Sequence, residues 1–372
     1  MVQDTRSSNR PSTSSNTLTT ERPATTSPGV SPAERTPLSA TPTVSVVIEG
    51  FNEDQEQGVA DNTVAALMQQ DYPLDKLEVI LVGSAEQATE WQEKYGGDKT
   101  PFLSFKTVAA EGAIYYQLKN LGAQEATCEI VVFTDSDVCP KPTWASALVA
   151  GLKSGADVSV GITLFKDLEG LTSNNLLHKI TVCITFGYLM GRIFDHRPGQ
   201  IPQMEVRGFV GHNVAMPLEI FRESQYRTEF GRLIASPLLF ANLASQGYSF
   251  VLHPKQRVVH YFEWLYWVRL HYRFGYEVYQ LRRLDKDYPN QWITKLGLLE
   301  APMTMIWHML LDIPRWFRFS RLLEMNVLTR VGLFPAVLVL SAVARGAEMF
   351  GMFATILTPE AMQDWAENGK CN

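Results

Sequence analysis

From Val44 onward, short apolar runs alternate with stretches of helical periodicity, and this alternation is what most constrains the fold. The apolar runs up to Asp135 are VSVVI, LEVILV, FLSFKTV and EIVVFTD, with a helical stretch between each and the next. Such alternation predicts a mostly parallel sheet covered by helices on both faces. Ligands bind beyond the carboxyl ends of the strands in such sheets, so we expect the chemistry just after these runs.

The pattern loosens after Trp144 but still predicts strands. VSVGITLF reads as a strand, residues 171–190 are largely apolar, and a loop rich in Gly and Pro runs to Gln203 before VRGFVGHNVAM. A helix over residues 237–246 is expected to lead to YSFVLH and QRVVHY, the last two predicted strands. Strand signals stop at Tyr261, so we expect the α/β domain to end there.

The C-terminal part is helical and apolar. Residues 264–284 carry aromatic side chains on one side and arginines on others, which is typical of an amphipathic helix lying on a membrane or on a domain. These arginines are Arg269, Arg273, Arg282 and Arg283. Residues 315–321 interleave three arginines with Trp316, Phe317 and Phe319. Such a mixture suits an interface with anionic lipid.

The longest uninterrupted apolar run covers residues 331–344, which is short of the roughly 20 residues needed to cross a bilayer. The helical pattern continues to Leu357 through Arg345 and Glu348, which lie three residues apart and can pair on a helix. A single membrane span, a re-entrant or interfacial helix, and the core helix of a soluble domain therefore all remain open.

Composition excludes several classes of protein. With 33 Lys and Arg against 39 Asp and Glu, the formal net charge is -6, so no basic field for nucleic acid exists. The four cysteines show no zinc-ligand or disulfide spacing. Ser, Thr and Pro make up 23 of the first 42 residues, a composition that predicts a disordered tail. Because the chain opens without the apolar run of a secretory signal, we expect its bulk to stay in the cytosol.

FTDSDVCP is the strongest chemical signal in the sequence. Asp135 and Asp137 follow an apolar strand with one residue between them, so both carboxylates lie on the same side of an extended backbone. Such a pair can bind one hard divalent cation, which would in turn bind a diphosphate. The alternative is that the aspartates belong to a loop that caps the next helix.

Three segments stand in the order and spacing of family 2 glycosyltransferases, which the chain resembles over residues 43–261. They are VSVVIEGFNE, GAIYYQLKNLGAQEATCEIVVFTDSDVCP and GFVGHNVAM. The resemblance implies the GT-A fold, a nucleotide-sugar donor and a metal-dependent pair of aspartates, with Mg or Mn held by Asp135 and Asp137. Many members of the family also carry C-terminal membrane-associated helices.

The resemblance implies further donor-site residues. Asn52 and Glu53 would flank the nucleotide, and Glu49 stands where proline is usual. Lys119 and Asn120 resemble the family's Arg-Asn pair, which leaves a cation to offset phosphate charge; the alternative for Lys119 is an exposed helix lysine.

The resemblance also implies roles for two histidines. His260 stands where members often place a histidine near the diphosphate, and it would be a third metal ligand or else a structural residue. His212 and Asn213 lie in the acceptor-side Gly-Asn region and would bind a sugar hydroxyl, or the asparagine would stabilise a turn.

Two departures from the family pattern affect specificity and catalysis. Gly83 and Ser84 stand where an acidic residue usually recognises the base, so Ser84 is the donor-site residue expected there. The Glu-Asp pair that supplies the general base in the family is absent, and Ala235, Ser236 and Pro237 stand in its place. General-base assistance is worth about a hundred- to ten-thousand-fold. Glu229 is therefore the candidate base; a retaining reaction through the donor phosphate and a catalytically inactive relative are the alternatives.

The sequence thus predicts a Ser/Thr/Pro-rich tail over residues 1–42, a GT-A domain over 43–261 and a helical membrane-associating region over 262–372. We expect a metal-dependent glycosyltransferase that uses a nucleotide-sugar and a glycan or lipid-linked acceptor of the cell envelope. It would act at the cytoplasmic face of a membrane, in contact with lipid. The alternative is a non-catalytic GT-A module that binds nucleotide-sugar or a partner at the membrane.

Overall fold

A computed structural model of the chain describes residues 37–50, 59–167, 176–195, 197, 200–230, 234–286, 288 and 290–368. The strands are β1 Val44–Glu49, β2 Leu77–Gly83, β3 Ser104–Ala109, β4 Ile130–Asp135, β5 Val138–Pro140, β6 Val158–Asp167, β7 Met190–Asp195, β8 Gln203–Val206, β9 Val214–Pro217 and β10 Phe250–Phe262. The helices are α1 Val59–Leu67, α2 Ala85–Tyr95, α3 Tyr115–Glu125, α4 Trp144–Lys153, α5 Leu176–Phe186, α6 Leu218–Ser224, α7 Ala235–Ser245, α8 Trp264–Leu284, α9 Glu300–Leu322, α10 Val327–Gly332, α11 Phe334–Leu357 and α12 Pro359–Asn368.

Eight of these strands form one sheet in the order β3-β2-β1-β4-β9-β6-β10-β5. The pairs β2–β3, β1–β2, β1–β4 and β6–β10 are parallel, whereas β9 and β5 run antiparallel to their neighbours. The predicted α/β fold with a mostly parallel sheet is therefore confirmed. The carboxyl ends of β1, β2 and β4 meet at one edge, as the alternating pattern predicts.

Helices cover both faces of the sheet because successive strand residues point to opposite sides. In β1, Val46 and Ile48 pack in a core with α1, α2 and α4, whereas Val47 packs in a second core with α3, α6 and α7. All of β1 and β2 is buried. Burial on both faces explains why these strands appear in the sequence as continuous apolar runs rather than as alternating ones.

Two strand predictions need correction. The loop expected before Gln203 contains strand β7, which pairs antiparallel with β8 in a separate two-stranded sheet. The two last strands are instead one strand, β10, with an irregularity in the middle. Between two paired positions β6 advances from Val160 to Ile162 while β10 advances from Leu252 to Arg257. The extra residues form a bulge around Pro254, which interrupts the apolar pattern without ending the strand.

The C-terminal helices pack on the α/β domain. A third core joins Leu164 of β6 and Cys183 of α5 to Trp267 of α8, Trp316 of α9 and Val337 of α11. Two helical segments, Gln291–Leu322 and Phe334–Leu357, are long and apolar enough to cross a membrane by length and composition. These helices fit the predicted membrane-associating region.

The structure corrects which side chains of these helices face outward. Trp316 and Phe319, predicted at a lipid interface, are 1% exposed and lie in the third core. Arg273 and Arg282 of α8 are also buried, and Arg282 donates hydrogen bonds to Glu300 and Thr304 of α9. Helical periodicity shows that a helix has an apolar face, but it does not distinguish lipid from protein as the partner of that face.

Candidate active site

Three potential metal ligands meet where β4, β5 and β10 come together. β4 ends at Asp135, Asp137 follows in the turn to β5, and Val138 of β5 lies opposite His260 of β10 in an antiparallel register. This register brings His260 Nε2 to 3.6 Å from Asp137 Oδ2. One ligand atom from each of Asp135, Asp137 and His260 lies within 4.8 Å of the others. Residues predicted from two separate segments thus form one cluster.

Helix α3 holds the carboxylate of Asp135 from one side. Lys119 Nζ lies 2.6 Å from Oδ1, and the Tyr115 hydroxyl donates to Oδ2 at 2.6 Å. Tyr115 and Lys119 are four residues apart, so both project from the same face of α3. Lys119 also donates to the backbone oxygen of Thr134 and is fully buried. It is therefore not the exposed lysine that the alternative prediction describes.

Lys119 keeps Asp135 ionised although the carboxylate is buried. Burial opposes the charged form, but the charge of Lys119 favours it. The hydrogen bonds from Lys119 and Tyr115 act in the same direction, and the net effect lowers the pKa of Asp135 to about 2. At neutral pH the site therefore contains a carboxylate of fixed orientation.

His212 lies beside this carboxylate. Its Nδ1 is 3.6 Å from Asp135 Oδ2, and its Nε2 is 2.9 Å from the Thr163 hydroxyl. Burial lowers the pKa of His212 to about 3, so the ring is neutral at neutral pH. The His212 and His260 ring centres are 5.4 Å apart. His212 is thus part of the site, and its contact with a sugar hydroxyl stays a prediction.

The donor set of the cluster fits a divalent cation. Asp135 and Asp137 offer carboxylate oxygens and His260 offers an imidazole nitrogen, all converging on one point. Carboxylates suit Mg and Mn, and imidazole is a common ligand of transition metals. The cluster therefore has the chemistry to hold Mg or Mn, and it lies at the sheet edge predicted from the sequence.

The segment after β2 is a helix start. The Ser84 side chain accepts from Gln87 N at the N-terminus of α2, and the Gln87 side chain accepts from Ser84 N. The next backbone amide, Ala85 N, donates to the carboxylate of Glu111 at 2.6 Å. Ser84 is therefore occupied as a helix cap, and its contact with donor remains untested.

The first predicted donor segment is only partly described. Glu49 ends β1 next to Asp135 in the parallel register and is fully buried. Asn52 and Glu53, expected to flank the nucleotide, lie outside the described residues. Their predicted contacts with the nucleotide therefore stay predictions.

Two asparagines predicted to contact ligands have hydrogen-bond partners within the protein. Asn120 donates to the backbone oxygen of Tyr226 at 2.8 Å and accepts from Tyr226 N at 3.1 Å, which holds a loop on α3. Asn213 is fully buried; its Oδ1 accepts from Trp144 Nε1 at 2.9 Å and its Nδ2 donates to the Gln256 backbone. These contacts are consistent with the turn-stabilising alternative for Asn213, and its contact with a sugar hydroxyl stays a prediction.

Glu229 does not have the environment of a general base. It lies in a short 3-10 turn, and its carboxylate accepts from Arg227 Nε at 2.8 Å. Both side chains are 56% exposed. Such a solvated surface pair excludes no water from a reacting hydroxyl. This environment does not favour a general base, and the role of Glu229 in catalysis stays a prediction.

The sequence analysis missed three residues that shape the site. Tyr115 was detectable because it precedes Lys119 by one helical turn. The Thr63 hydroxyl lies 2.6 Å from Ser136 O and 2.9 Å from Val138 O, which ties the turn between the aspartates to α1. The Tyr266 ring stacks on His260 with centres 5.8 Å apart. Neither Thr63 nor Tyr266 has a local sequence signal, because each meets the site only through the fold.

Comparison with known proteins agrees with this geometry. Residues 45–224 match the family model described as glycosyl transferase family 2. The fold is similar to that of the mannosyltransferase PcManGT from Pyrobaculum calidifontis in complex with GDP-Man and Mn2+, with a TM-score of 0.52 and 16% identity over 87% of this chain and 89% of that chain. GalNAc-T7 with UDP, GalNAc and Mn2+ gives a TM-score of 0.46 and 16% identity over 60% of this chain and 45% of that chain. No curated protein sequence matches the chain.

The sheet, the paired aspartates at its carboxyl edge and the family match all lead to one assignment. The GT-A fold is confirmed by the sheet topology and by the structural similarity to PcManGT. The matched range contains both aspartates, while His260 lies beyond it. Residues 45–224 therefore match the glycosyl transferase family 2 model within a GT-A fold, and together the match and the fold support glycosyltransferase activity.

Proposed function

We propose that the protein transfers a sugar from a nucleotide-sugar donor to a glycan or lipid-linked acceptor of the cell envelope, with Mg or Mn held by Asp135, Asp137 and His260. The observation that carries the proposal is the convergence of these three side chains within 4.8 Å at the carboxyl edge of the sheet. The similarity in fold to PcManGT, whose structure contains GDP-Man and Mn2+, supports a nucleotide-sugar donor.

Some residues at this site would bind the metal ion, and others position those ligands. A divalent cation bound there would neutralise the charge that develops on the leaving nucleoside diphosphate. Tyr115 and Lys119 fix both oxygens of Asp135, so the carboxylate keeps one orientation. Because Lys119 already contacts Asp135 and Thr134, we assign it as a positioning residue that acts through Asp135 rather than as a direct phosphate ligand.

The acceptor side of the proposal rests on the C-terminal helices. Exposed large apolar side chains are concentrated between residues 292 and 357, where they include Trp292, Leu299, Ile306, Leu328, Val339 and Phe350. Large exposed apolar surfaces mark membrane or protein contacts. A lipid-linked acceptor at the cytoplasmic face of a membrane fits an enzyme that carries such a surface.

A donor screen tests the proposal. Purified full-length protein in lipid vesicles is incubated with GDP-, UDP- and dTDP-sugars and a lipid extract, and nucleoside diphosphate release is measured with Mn and with a chelator. We expect Mn-dependent release with one donor class. Asp137→Asn should abolish Mn-dependent binding of that nucleoside diphosphate in calorimetry. The control Asp98→Asn, at an exposed position outside the metal cluster, should leave binding unchanged. Unchanged affinity in Asp137→Asn would disprove the metal assignment.

A further inference from the structure

Helix α11 has its polar and apolar residues in the reverse of the usual arrangement. Its charged residues, Arg345 and Glu348, are buried at 5% and 1% exposure. Its exposed large side chains are all apolar: Leu338, Val339, Val343, Phe350 and Leu357. Over these 24 described residues, about 36 Å of helix, no charged side chain faces outward. Water is therefore a poor environment for this face.

Helix α9 repeats the arrangement on its N-terminal half. Met303, Ile306, Trp307 and Leu310 are exposed at i, i+3, i+4 and i+7, which places them on one face. In the connecting helix α10, Val327, Leu328 and Val331 are exposed as well. We call the outward apolar residues of α9, α10 and α11 the apolar face.

Asp312 of α9 and both charged residues of α11 point inward, toward the catalytic domain. Arg345 contacts Asp312 of α9 at 2.8 Å and Glu348 at 2.7 Å, and it donates to the backbone oxygen of Ile184 in α5 at 2.9 Å. Helix α5 in turn packs on β6 in the third core. The network thus binds the middle of both helices to the α/β domain.

Both ends of α9 also lie against the domain. At its C-terminal end, Arg257 of β10 donates to the backbone oxygen of Leu322 at 3.3 Å. At its N-terminal end, Glu300 pairs with Arg282 and Arg283 of α8. The adjacent residue of α8, Leu281, packs against Ile234 at the start of α7.

Helix α11 is held at both ends in the same way. Val337 near its start lies in the third core with Trp316. Just beyond its end, Met362 of α12 packs with Ile234 of the α/β domain. A helix that crosses a bilayer has its ends separated by a hydrocarbon core of about 30 Å, so its two ends cannot both contact a domain on one side.

We infer that α9, α10 and α11 lie in the plane of the membrane and contact the acyl chains of a single leaflet through the apolar face, without crossing it. The inference rests on the membrane association in the proposed function and specifies its topology. Charge and aromatic placement favour lipid as the occupant. Exposed cations flank α9 at Lys295 and Arg321, and Trp292 and Trp307 are 54% and 40% exposed, as suits the headgroup boundary.

Depth-dependent quenching tests this topology. Single cysteines replace Val339, Val343, Phe350 and Leu357, which lie on one side of α11, in full-length protein lacking Cys139 and Cys371, since Cys128 and Cys183 are buried. Each is labelled with an environment-sensitive fluorophore, and quenching is measured in vesicles of anionic phospholipid brominated at different acyl positions. We expect all four positions to report one shallow depth, about 5–10 Å below the headgroup boundary. Glu90→Cys on the exposed side of α2 is the control and should not be quenched.

Two results would overturn the inference. A depth that reaches the bilayer centre at Val343 and returns to an interface at Leu357, reachable by an impermeant thiol reagent only from the opposite side, would show a span. Absence of quenching at all four positions would show that protein, such as a second copy of the chain, covers the face; a concentration-dependent oligomer would identify it. Nucleoside diphosphate release, measured on the same samples, reports separately on the glycosyltransferase proposal.

Discussion

Lys119 carries its positive charge entirely inside the protein. Removing one member of a buried ion pair leaves the other charge without compensation, which typically costs about 3–5 kcal/mol. We expect Lys119→Met to lower the free energy of unfolding by about that amount, measured by urea denaturation of detergent-solubilised protein. Lys94→Met is the control, because Lys94 pairs with Asp61 at a site where its side chain is 46% exposed. The control should lose no more than about 1 kcal/mol. Equal losses in both variants would contradict the role of Lys119.

Glu229 offers a second test at the level of a single side chain. Because its carboxylate is solvated and paired with Arg227, we expect Glu229→Gln to keep turnover within a fewfold of wild type. Loss of a general base would instead lower turnover by about a hundredfold or more. Initial rates of nucleoside diphosphate release with saturating donor distinguish these outcomes. A drop of the larger size would restore Glu229 as the base.

At the residue scale, the sequence predicted the residues of the cluster that could hold a metal ion, but not the residues that support them. Asp135 and Asp137 are local in sequence, and His260 was identified from its place after the last strand. Thr63 and Tyr266 reach the site from remote elements, so no short pattern contains them. Asn213 was selected from its neighbours in sequence, and only the fold shows that its side chain is buried against Trp144 and Gln256.

Helices α8 and α11 cross with their backbones in contact, and two glycines allow it. A Cβ on Gly351 would overlap the backbone oxygen of Tyr272, and one on Gly275 would overlap that of Glu348. We expect Gly351→Ala to destabilise the protein by about 1–3 kcal/mol through overpacking, measured as a lower midpoint of thermal unfolding.

Gly346, on the same helix, provides the matched control. A Cβ there meets nothing within 4 Å, so Gly346→Ala should be neutral or stabilising by up to about 1 kcal/mol. If both substitutions behave alike, the close crossing of α8 and α11 is wrong.

Elements differ in how well the sequence predicts them, and the difference has a physical cause. Strands β1, β2 and β4 are buried on both faces, so their apolar runs are unambiguous. Strands β7 and β8 are short, mix polar with apolar residues and have Gly and Pro between them, which makes them resemble a loop. The helices were predicted as helices, but the side that packs on protein was assigned to lipid in part, because both partners are apolar.

The catalytic and C-terminal regions share a hydrophobic core, so we expect them to fold as one unit. We expect a chain ending after Tyr288 to lose cooperative unfolding and to aggregate, because it lacks Trp316, Phe319 and Val337 from the third core. Size-exclusion chromatography and calorimetry check this. A monomeric fragment with a sharp transition would show that the boundary predicted at residue 261 separates two folding units.

Substitutions of two tryptophans of α9 distinguish damage to the hydrophobic core from loss of lipid contact. Trp316→Ala should cost about 3–5 kcal/mol, as is usual for a large buried aromatic. Replacing Trp307, which is 40% exposed on the same helix, by alanine should lower the free energy of unfolding much less in detergent solution.

One connection in the fold has a consequence for the choice of acceptor. Only Glu263 separates β10, which carries His260, from α8, and α8 packs on α11. If the apolar face lies on lipid as inferred above, the absence of a flexible linker here would hold the reaction centre at one height above the lipid surface. The enzyme would then select acceptors by length. An acceptor whose hydroxyl projects to that height would react, and a shorter or longer acceptor would not.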